Sequence, residues 1–275
     1  YDKVNLLYMG DNSAKAMALE SGQVDLVENI TNVADIQKFQ DSDDYTVDIA
    51  TGVRCGFSWM NFDGVLGNKT LRQAILMAID YDTICNSKTI GGLYTPGFSV
   101  LPSNLSYGYE KLNNPYTYDP EGAKAILEEA GYKDTDGDGF VETPDGDPLT
   151  LDFVIYTSRA ELGVYAQAAQ ASLKEIGINV NLNTVSYETL LDMRDSGQYD
   201  LLIWNVLVAN TGDPENYLRE NWYSTSANNT AGYNNPEVDE LLDELAGTFD
   251  EEERKDLIIK IQQDIMDDAA TVFFG

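Results

Sequence analysis

The spacing of apolar and polar residues predicts alternating strands and helices in the second half of the chain. Apolar and polar positions alternate over 149–156 and 178–185, which is the period of a half-buried strand. The run DLLIWNVL, which begins at Asp200, is apolar on both faces, as expected for a strand at the centre of a covered sheet. Helical spacing over 160–176 and 187–195 separates these strands. This order predicts an α/β unit.

Further helices and one crossing strand are predicted around this unit. Apolar residues recur at helical spacing over 68–84, and Pro120 marks the first turn of a helix that ends at Gly131. The segment GFSWMN, residues 56–61, is predicted to be a buried or crossing strand. Three helices are predicted at the end of the chain, over 213–221, 236–246 and 251–267.

Residues 1–54 form a separate pattern. Their apolar positions predict a strand at 4–9, a helix at 13–20, a strand at 24–27 and a helix at 32–39. A strand, helix, strand order with short connections predicts a parallel pair of strands. About fifty residues are too few to close a covered sheet, so this unit is expected to be part of a larger lobe.

Length and charge exclude several classes of protein. The 275 residues correspond to a little under two domains of typical size. Asp and Glu number 47 against 17 Lys and Arg, which gives a net charge of −30. Such a chain repels phosphate backbones and anionic lipids, so we expect no binding to nucleic acid or to a membrane surface. Because 43% of the residues are hydrophobic, the chain still has the apolar material for a packed core.

The residue counts also argue against an enzyme. The sequence contains no histidine, which removes imidazole-based catalysis and His-ligated metal sites. GxSxG, GxxxxGK[ST] and GxGxxG motifs are likewise missing from the sequence. A hydrolase built on two paired acids remains an alternative, but no spacing selects such a pair. Cys55 and Cys85 either pair with each other or are buried thiols, and we favour buried thiols.

One acidic segment matches the pattern of a calcium loop. In DTDGDGFVETPD, the acids Asp134, Asp136 and Asp138 occupy positions one, three and five of the loop, and Glu142 and Asp145 occupy positions nine and twelve. Calcium takes six to eight oxygen ligands, which closely spaced carboxylates can supply. The alternative is a solvated acidic turn that folds without metal. The calcium-loop interpretation predicts a structural Ca²⁺. It also adds a secreted calcium-dependent structural module as an alternative class of function.

Residues at the ends of two predicted strands are candidates for ligand binding. Tyr156, Thr157 and Arg159 follow or end the strand LTLDFVIY, and Trp204 lies in DLLIW. Ligands of open α/β sheets bind beyond the carboxyl ends of the strands, where a guanidinium can hold a carboxylate through two hydrogen bonds. Asn210 lies in the loop after the second strand, where its amide is free to point into a cleft. Asp213 in the same loop is predicted to cap the helix that begins with Pro214.

The order of several segments resembles the family 5 extracellular solute-binding proteins, which are the receptors of peptide and nickel ABC importers. The resemblance is carried by ALESGQVDLV, MNFDGVLGNKTLRQAILMAID, YDPEGAKAILEEAGYKDTDGDG, LKEIGINVNL, ANTGDPENYL and YNNPEVDELLDEL, in that order. It implies a periplasmic-binding-protein-like (type II) fold: a lobe with a mixed sheet flanked by helices, plus a fragment of a second lobe. Residues 1–54 would be the first-lobe fragment, 55–61 and 271–275 the hinge crossings, and 62–270 the complete second lobe.

The same resemblance implies a function. It predicts a non-enzymatic receptor that binds a short peptide or a similar carboxylate-bearing solute between two lobes and delivers it to a membrane permease. Arg159 is similar to the arginine that clamps the ligand carboxylate in the dipeptide receptors, and Asn210 stands where those receptors carry an aspartate for the peptide's amino terminus. The alternative within the family is a nickel or metallophore receptor. An extracellular or periplasmic protein is expected, anchored as a lipoprotein through a part outside this chain.

Overall fold

The fold is built on a mixed five-stranded sheet. A computed structural model describes residues 2–91, 93–156 and 160–275. The strands are β1 (Arg54–Met60), β2 (Thr150–Tyr156), β3 (Asn179–Val185), β4 (Leu201–Leu207) and β5 (Thr271–Phe273), in the order β3-β2-β4-β1-β5. β2 runs parallel to β3 and β4, whereas β1 runs antiparallel to β4 and β5. The predicted mixed sheet is confirmed.

Helices cover the sheet and follow the predicted positions closely. They are α1 (Asn12–Glu20), α2 (Val33–Gln40), α3 (Lys69–Ala78), α4 (Tyr81–Cys85), α5 (Pro120–Glu129), α6 (Ala160–Glu175), α7 (Tyr187–Asp195), α8 (Glu215–Trp222), α9 (Pro236–Gly247) and α10 (Glu251–Asp267). Side-chain caps explain several starts. Asp119, Ser186, Asn235 and Asp250 each accept hydrogen bonds from backbone N–H groups in the first turn of the helix that follows.

The single helix predicted over 68–84 is wrong in one respect, because the structure divides it into α3 and α4. Ile79 has an extended backbone, with φ −93° and ψ 122°. Asp80 then caps a new helix, and its carboxylate accepts hydrogen bonds from the backbone N–H and the hydroxyl of Thr83 at 2.9 and 2.6 Å. A local cap therefore overrides the apolar periodicity that continues across residues 79–80.

The strands predicted at 4–9 and 24–27 are also wrong, since the structure has helices α1 and α2 in this unit but no strand in residues 2–53. A strand needs a neighbouring strand to accept and donate its backbone hydrogen bonds. The side chains of the first segment are largely exposed, with Leu6 at 92% and Tyr8 at 97%. The alternating pattern is thus present in the sequence without a partner strand among the described residues.

One strand of the sheet, β1, connects residues 2–53 to the rest of the chain. β1 enters the sheet after residue 53, and β5 lies beside it near residue 275. Backbone hydrogen bonds join the two at 2.9 Å, from Gly56 N to Gly275 O and from Phe274 N to Gly56 O. The carboxyl ends of β2, β3, β4 and β5 and the start of β1 therefore share one edge of the sheet, which we call the crossing edge.

A buried arginine fixes the approach to β5. Arg72 on α3 is 4% exposed, and its guanidinium donates to the carbonyl oxygens of Leu66, Gly67, Asp268 and Ala269 at 2.7 to 3.1 Å. Its charge also lies 4.2 Å from the centre of the Phe62 ring. Because these contacts satisfy carbonyls at the end of α10, the return of the chain into β5 is held against α3.

Candidate ligand-binding site

Three aromatic side chains, from β2, α7 and β4, pack against one another, and we call Tyr156, Tyr187 and Trp204 the aromatic cluster. Tyr156 is the last residue of β2, and Tyr187 is the first residue of α7, where Ser186 caps the helix. The Tyr187 ring lies 5.6 Å from that of Tyr156 and 6.1 Å from that of Trp204, the latter pair stacked at 26°. Tyr187 is 44% exposed, so the cluster has an accessible apolar surface.

A cation lies against this cluster. The Arg194 guanidinium carbon, on α7, is 5.3 Å from the centre of the Trp204 ring, within the range of a cation–π contact. The same guanidinium makes an ion pair at 2.7 Å with Asp195, which is exposed. Neither Tyr187 nor Arg194 was predicted from the sequence. The signal that would have found them is the spacing of α7, which puts residues 187, 190, 191 and 194 on one face of the helix.

The opposite face of the sheet carries a polar arrangement. Successive strand residues point to opposite faces, so Asn205 faces away from Trp204. The Asn205 side chain accepts a hydrogen bond from Arg54 Nη1 at 2.9 Å and donates one to the Tyr94 hydroxyl at 3.2 Å. Tyr94 in turn packs edge-on against Tyr165, with the ring centres 5.3 Å apart. We call Arg54, Asn205 and Tyr94 the Arg54 relay.

The loop that follows β4, residues 208–214, carries the predicted Asn210. Its start is buried and fixed, because Val208 N donates to Val53 O at 3.0 Å. Asn210 itself is exposed. Further along, the Tyr107 hydroxyl donates to Gly212 O at 2.8 Å. The loop is therefore held at both sides while Asn210 faces solvent between them.

The prediction for Asp213 is confirmed in its main point. Its Oδ1 accepts a hydrogen bond from Glu215 N at 2.8 Å, at the start of α8, although Pro214 precedes the first helical residue instead of occupying it. Its Oδ2 accepts hydrogen bonds from Arg254 Nη2 and Nε at 2.8 and 3.2 Å. Arg254 also pairs with Glu215 at 2.9 Å and donates to the carbonyls of Leu245 and Thr248. The Arg254 guanidinium therefore joins the loop to the start of α8 and to the end of α9.

The structure brings only some of the predicted ligand-binding residues together. Tyr156 and Trp204 are brought together through Tyr187 at the crossing edge. Asn210 is exposed in the loop that follows β4. Thr157 and Arg159 lie outside the described residues, so their predicted roles stay predictions.

The acidic loop brings three of its five predicted ligands together. Carboxylate oxygens of Asp134, Asp136 and Asp138 lie within 4.8 Å of one another, and all three side chains are exposed. The loop also closes on itself. Asp134 accepts hydrogen bonds from Gly137 N and Gly139 N at 2.7 and 3.0 Å, and Asp138 accepts one from Phe140 N at 2.8 Å.

The remaining two predicted calcium ligands lie apart from these three. Glu142 is buried, and its Oε2 accepts hydrogen bonds from the backbone N–H and the hydroxyl of Thr135 at 2.7 and 2.6 Å. Asp145 is exposed at the tip of a separate turn, which is closed by a hydrogen bond from Gly146 N to Thr143 O at 2.8 Å. The calcium site therefore stays a prediction, with three convergent carboxylates in its favour.

Both cysteines are free and buried, which confirms the favoured interpretation. Burial raises the pKa of the Cys55 thiol to about 12. Burial also raises the pKa of Cys85, whose sulfur lies 3.1 Å from the Tyr165 hydroxyl. Neither thiol is poised as a nucleophile, because the thiolate is the reactive form.

Comparison with known proteins agrees with this architecture. Residues 1–229 match the model of the bacterial extracellular solute-binding proteins, family 5. The chain is 31% identical over 214 residues to the periplasmic oligopeptide-binding protein OppA of Salmonella typhimurium, a match that covers 74% of this chain and 35% of OppA. It is 25% identical over 263 residues to the nickel-binding protein NikA of Staphylococcus aureus, covering 94% of this chain and 50% of NikA.

Solved structures share the fold. NikA from Brucella suis in complex with Fe(III)-EDTA superposes with a TM-score of 0.84 at 22% identity, over 96% of this chain and 54% of that one. AppA from Bacillus subtilis in complex with a nonapeptide gives 0.82 at 20% identity, over 97% and 53%. The chain thus spans a third to a half of the length of these relatives. Within the described residues, no helix combines the length and apolar character needed to cross a membrane. The chain belongs to the bacterial extracellular solute-binding proteins of family 5.

Proposed function

We propose that the chain is part of the receptor of an ABC importer and binds a short peptide, or a similar small solute with a carboxylate, at the crossing edge. The observation that carries this proposal is the aromatic cluster, which lies at the strand ends next to the passage of the chain into residues 2–53. Family membership supports a binding protein over an enzyme, because the relatives are named as binding proteins. Delivery of the solute to a membrane permease is part of the proposal.

Each site residue has a role in this proposal. Trp204 and the buried Tyr156 pack against the exposed ring of Tyr187, and the three rings form an apolar wall of the kind that binds the body of a solute. Asn210 donates or accepts a hydrogen bond from its exposed position on a fixed loop. Arg159 anchors the carboxylate from the segment that follows β2, and Thr157 lines the cleft beside it.

Closure over the solute follows from the crossing strands. β1 and β5 are hydrogen-bonded neighbours, so a rotation at the crossing edge moves both connections together. A solute that touches both lobes only when they are closed binds that state more tightly and shifts the population towards it. We propose an extracellular or periplasmic location, in line with the periplasmic relative OppA, with a lipoprotein anchor outside this chain.

A metal chelate is the second candidate solute. It is favoured by the relatives named as nickel-binding or solved with Fe(III)-EDTA. The chain has no histidine to ligate a bare metal ion. A chelate rich in carboxylates would instead present the same anionic group to the arginines of the site, so the two candidates differ in the body of the solute.

Titration calorimetry of the protein tests these candidates. A panel of di- to pentapeptides and of nickel and iron chelates would be measured against the unaltered protein, Arg159→Ala and a charge-matched control, Lys124→Gln, whose side chain is exposed on α5. We expect binding of at least one peptide, about a 10- to 150-fold loss with Arg159→Ala and little change in the control. Binding of chelates alone would replace the peptide by the second candidate, and binding of neither would contradict the proposal.

A further inference from the structure

Arg54 lies at the point where residues 2–53 join the sheet. It is the first residue of β1 and pairs across the sheet with Leu207, the last residue of β4. The crossing edge therefore has an arginine at the point where the chain passes into residues 2–53. Its side chain is exposed.

The Arg54 guanidinium is oriented by neutral groups. Nη1 donates to Asn205 Oδ1 at 2.9 Å, and the orientation of that amide is set by its second hydrogen bond, from Nδ2 to the Tyr94 hydroxyl at 3.2 Å. Asn205 is half-buried, and the Tyr94 ring packs against the buried Tyr165. The Arg54 relay thus connects the guanidinium to the buried core. These contacts restrict the positions that the guanidinium can take in the absence of a solute.

Among the residues that the structure describes, no carboxylate forms an ion pair with Arg54, whereas Arg194, Arg219 and Arg254 each pair with Asp or Glu. This contrast is notable because acids outnumber bases by 47 to 17. An amide accepts one hydrogen bond from a guanidinium without neutralising it. The remaining donors of Arg54 therefore keep their full capacity for an anion.

From these observations we infer that Arg54 is a ligand-binding residue that holds a carboxylate of the solute at the crossing edge, positioned by Asn205 and Tyr94. The carboxylate then lies on the face of the sheet opposite to the aromatic cluster, and the solute reaches both groups around the strand ends. The inference rests on the proposed function for the identity of the solute, but the carboxylate preference stands on the relay itself. It assigns an anionic solute to the site. A peptide with an acidic residue or a free carboxyl end fits this chemistry, and a fully amidated neutral peptide does not.

Calorimetry with a matched pair of peptides tests the assignment. Ala-Ala-Glu carries two carboxylates, whereas the amide of Ala-Ala-Gln carries none and has nearly the same shape. Arg54→Gln is expected to reduce the affinity for Ala-Ala-Glu about 10- to 150-fold, the range of a lost charge-assisted contact. The neutral peptide should change less than about threefold, and so should both peptides with Lys124→Gln. Equal affinities of the unaltered protein and Arg54→Gln for Ala-Ala-Glu would overturn the inference.

A spectroscopic measurement makes the result independent of peptide binding. In ¹⁵N-labelled protein, sodium acetate should shift the Arg54 Nε–H resonance more than sodium chloride of equal ionic strength does, and Asn205→Ala should reduce that shift. The Arg219 resonance is the internal control, because this guanidinium already pairs with Asp243 at 3.0 Å. If acetate shifts Arg54 and neither peptide binds, the peptide proposal fails and the inference stands. If Arg54 responds no more than Arg219, the inference fails.

Discussion

Arg254 holds the loop of Asn210 from the far end of the chain, and replacing it by glutamine should loosen this loop and destabilise the lobe. The arginine on α10 is 17% exposed, and its partners Asp213 and Glu215 are 37% and 28% exposed. It makes two ion pairs and donates to two carbonyls. A charge-assisted hydrogen bond contributes about 1.5–3 kcal/mol, and removing one partner of a buried pair costs about 3–5 kcal/mol.

Because these groups are partly exposed, the expected loss lies near the lower end of that range, at about 3 kcal/mol. For a chain of this size, this corresponds to a fall in Tm of about 6–12 °C. Thermal and urea unfolding can be followed by tryptophan fluorescence, since Trp59, Trp204 and Trp222 all lie in or beside the sheet. Arg254→Lys should recover part of the loss, because it keeps the charge but not the fork of donors.

The control for this prediction is Lys111→Gln. It removes the charge of Lys111, which forms an exposed ion pair at 4.0 Å with Asp256, a residue of α10 like Arg254. Its effect should be below about 1 kcal/mol. Hydrogen exchange of residues 208–214 should accelerate in Arg254→Gln and not in Lys111→Gln. If both variants unfold at the same temperature, or if exchange in the loop is unchanged, the argument that Arg254 fixes this loop is refuted.

Three other outcomes follow from the structure. If the acidic loop binds calcium with the roughly millimolar affinity of extracellular modules, 10 mM calcium should raise Tm by about 2–5 °C. Asp136→Asn should reduce that rise. A Tm that changes with neither calcium nor chelator would favour the acidic turn that folds without metal. Cys55 should resist alkylation at pH 8 in the folded protein and react in urea. Its folded pKa of about 12 exceeds the unfolded value near 9, so the free energy of unfolding should fall as the pH rises through this range. Cys55→Ala should remove this part of the dependence of the unfolding free energy on pH. A series of urea titrations at different pH values would measure it. Gly97→Ala should destabilise the protein by about 1–3 kcal/mol in the same urea assay, since its Cβ would lie 2.6 Å from the Phe273 ring; a stability equal to that of the unaltered protein would show that the ring moves freely.

The elements that could be predicted from the sequence are those whose signals are local. The strand over 149–156 is observed at Thr150–Tyr156, and the helix after Pro120 is observed at Pro120–Glu129. Here a period of alternation, a proline and a cap carry the information within a few residues. The segments at 4–9 and 24–27 failed for the opposite reason. Their pattern is that of strands, but strand formation depends on a partner that these residues do not supply themselves.

The candidate site was predicted only in part, because it depends on pairs that are distant in sequence. Trp204 and Tyr156 were identified from their positions at strand ends, and the topology confirmed that such ends share one edge. The contact between Arg54 and Asn205 spans 151 positions and follows from the antiparallel pairing of β1 with β4. Nothing near residue 54 in the sequence indicates this pairing. Tyr187 was overlooked because a tyrosine at a helix start is common on a protein surface.

The side-by-side arrangement of β1 and β5 brings the two ends of residues 54–275 together. Gly56 N and Gly275 O are 2.9 Å apart, so the lobe begins and finishes at nearly the same point in space. A short glycine-rich linker could join residue 275 to residue 54, and a new opening could be cut at the exposed turn around Asp145. Such a circular permutant would keep the sheet order and provide residues 54–275 as an independent unit.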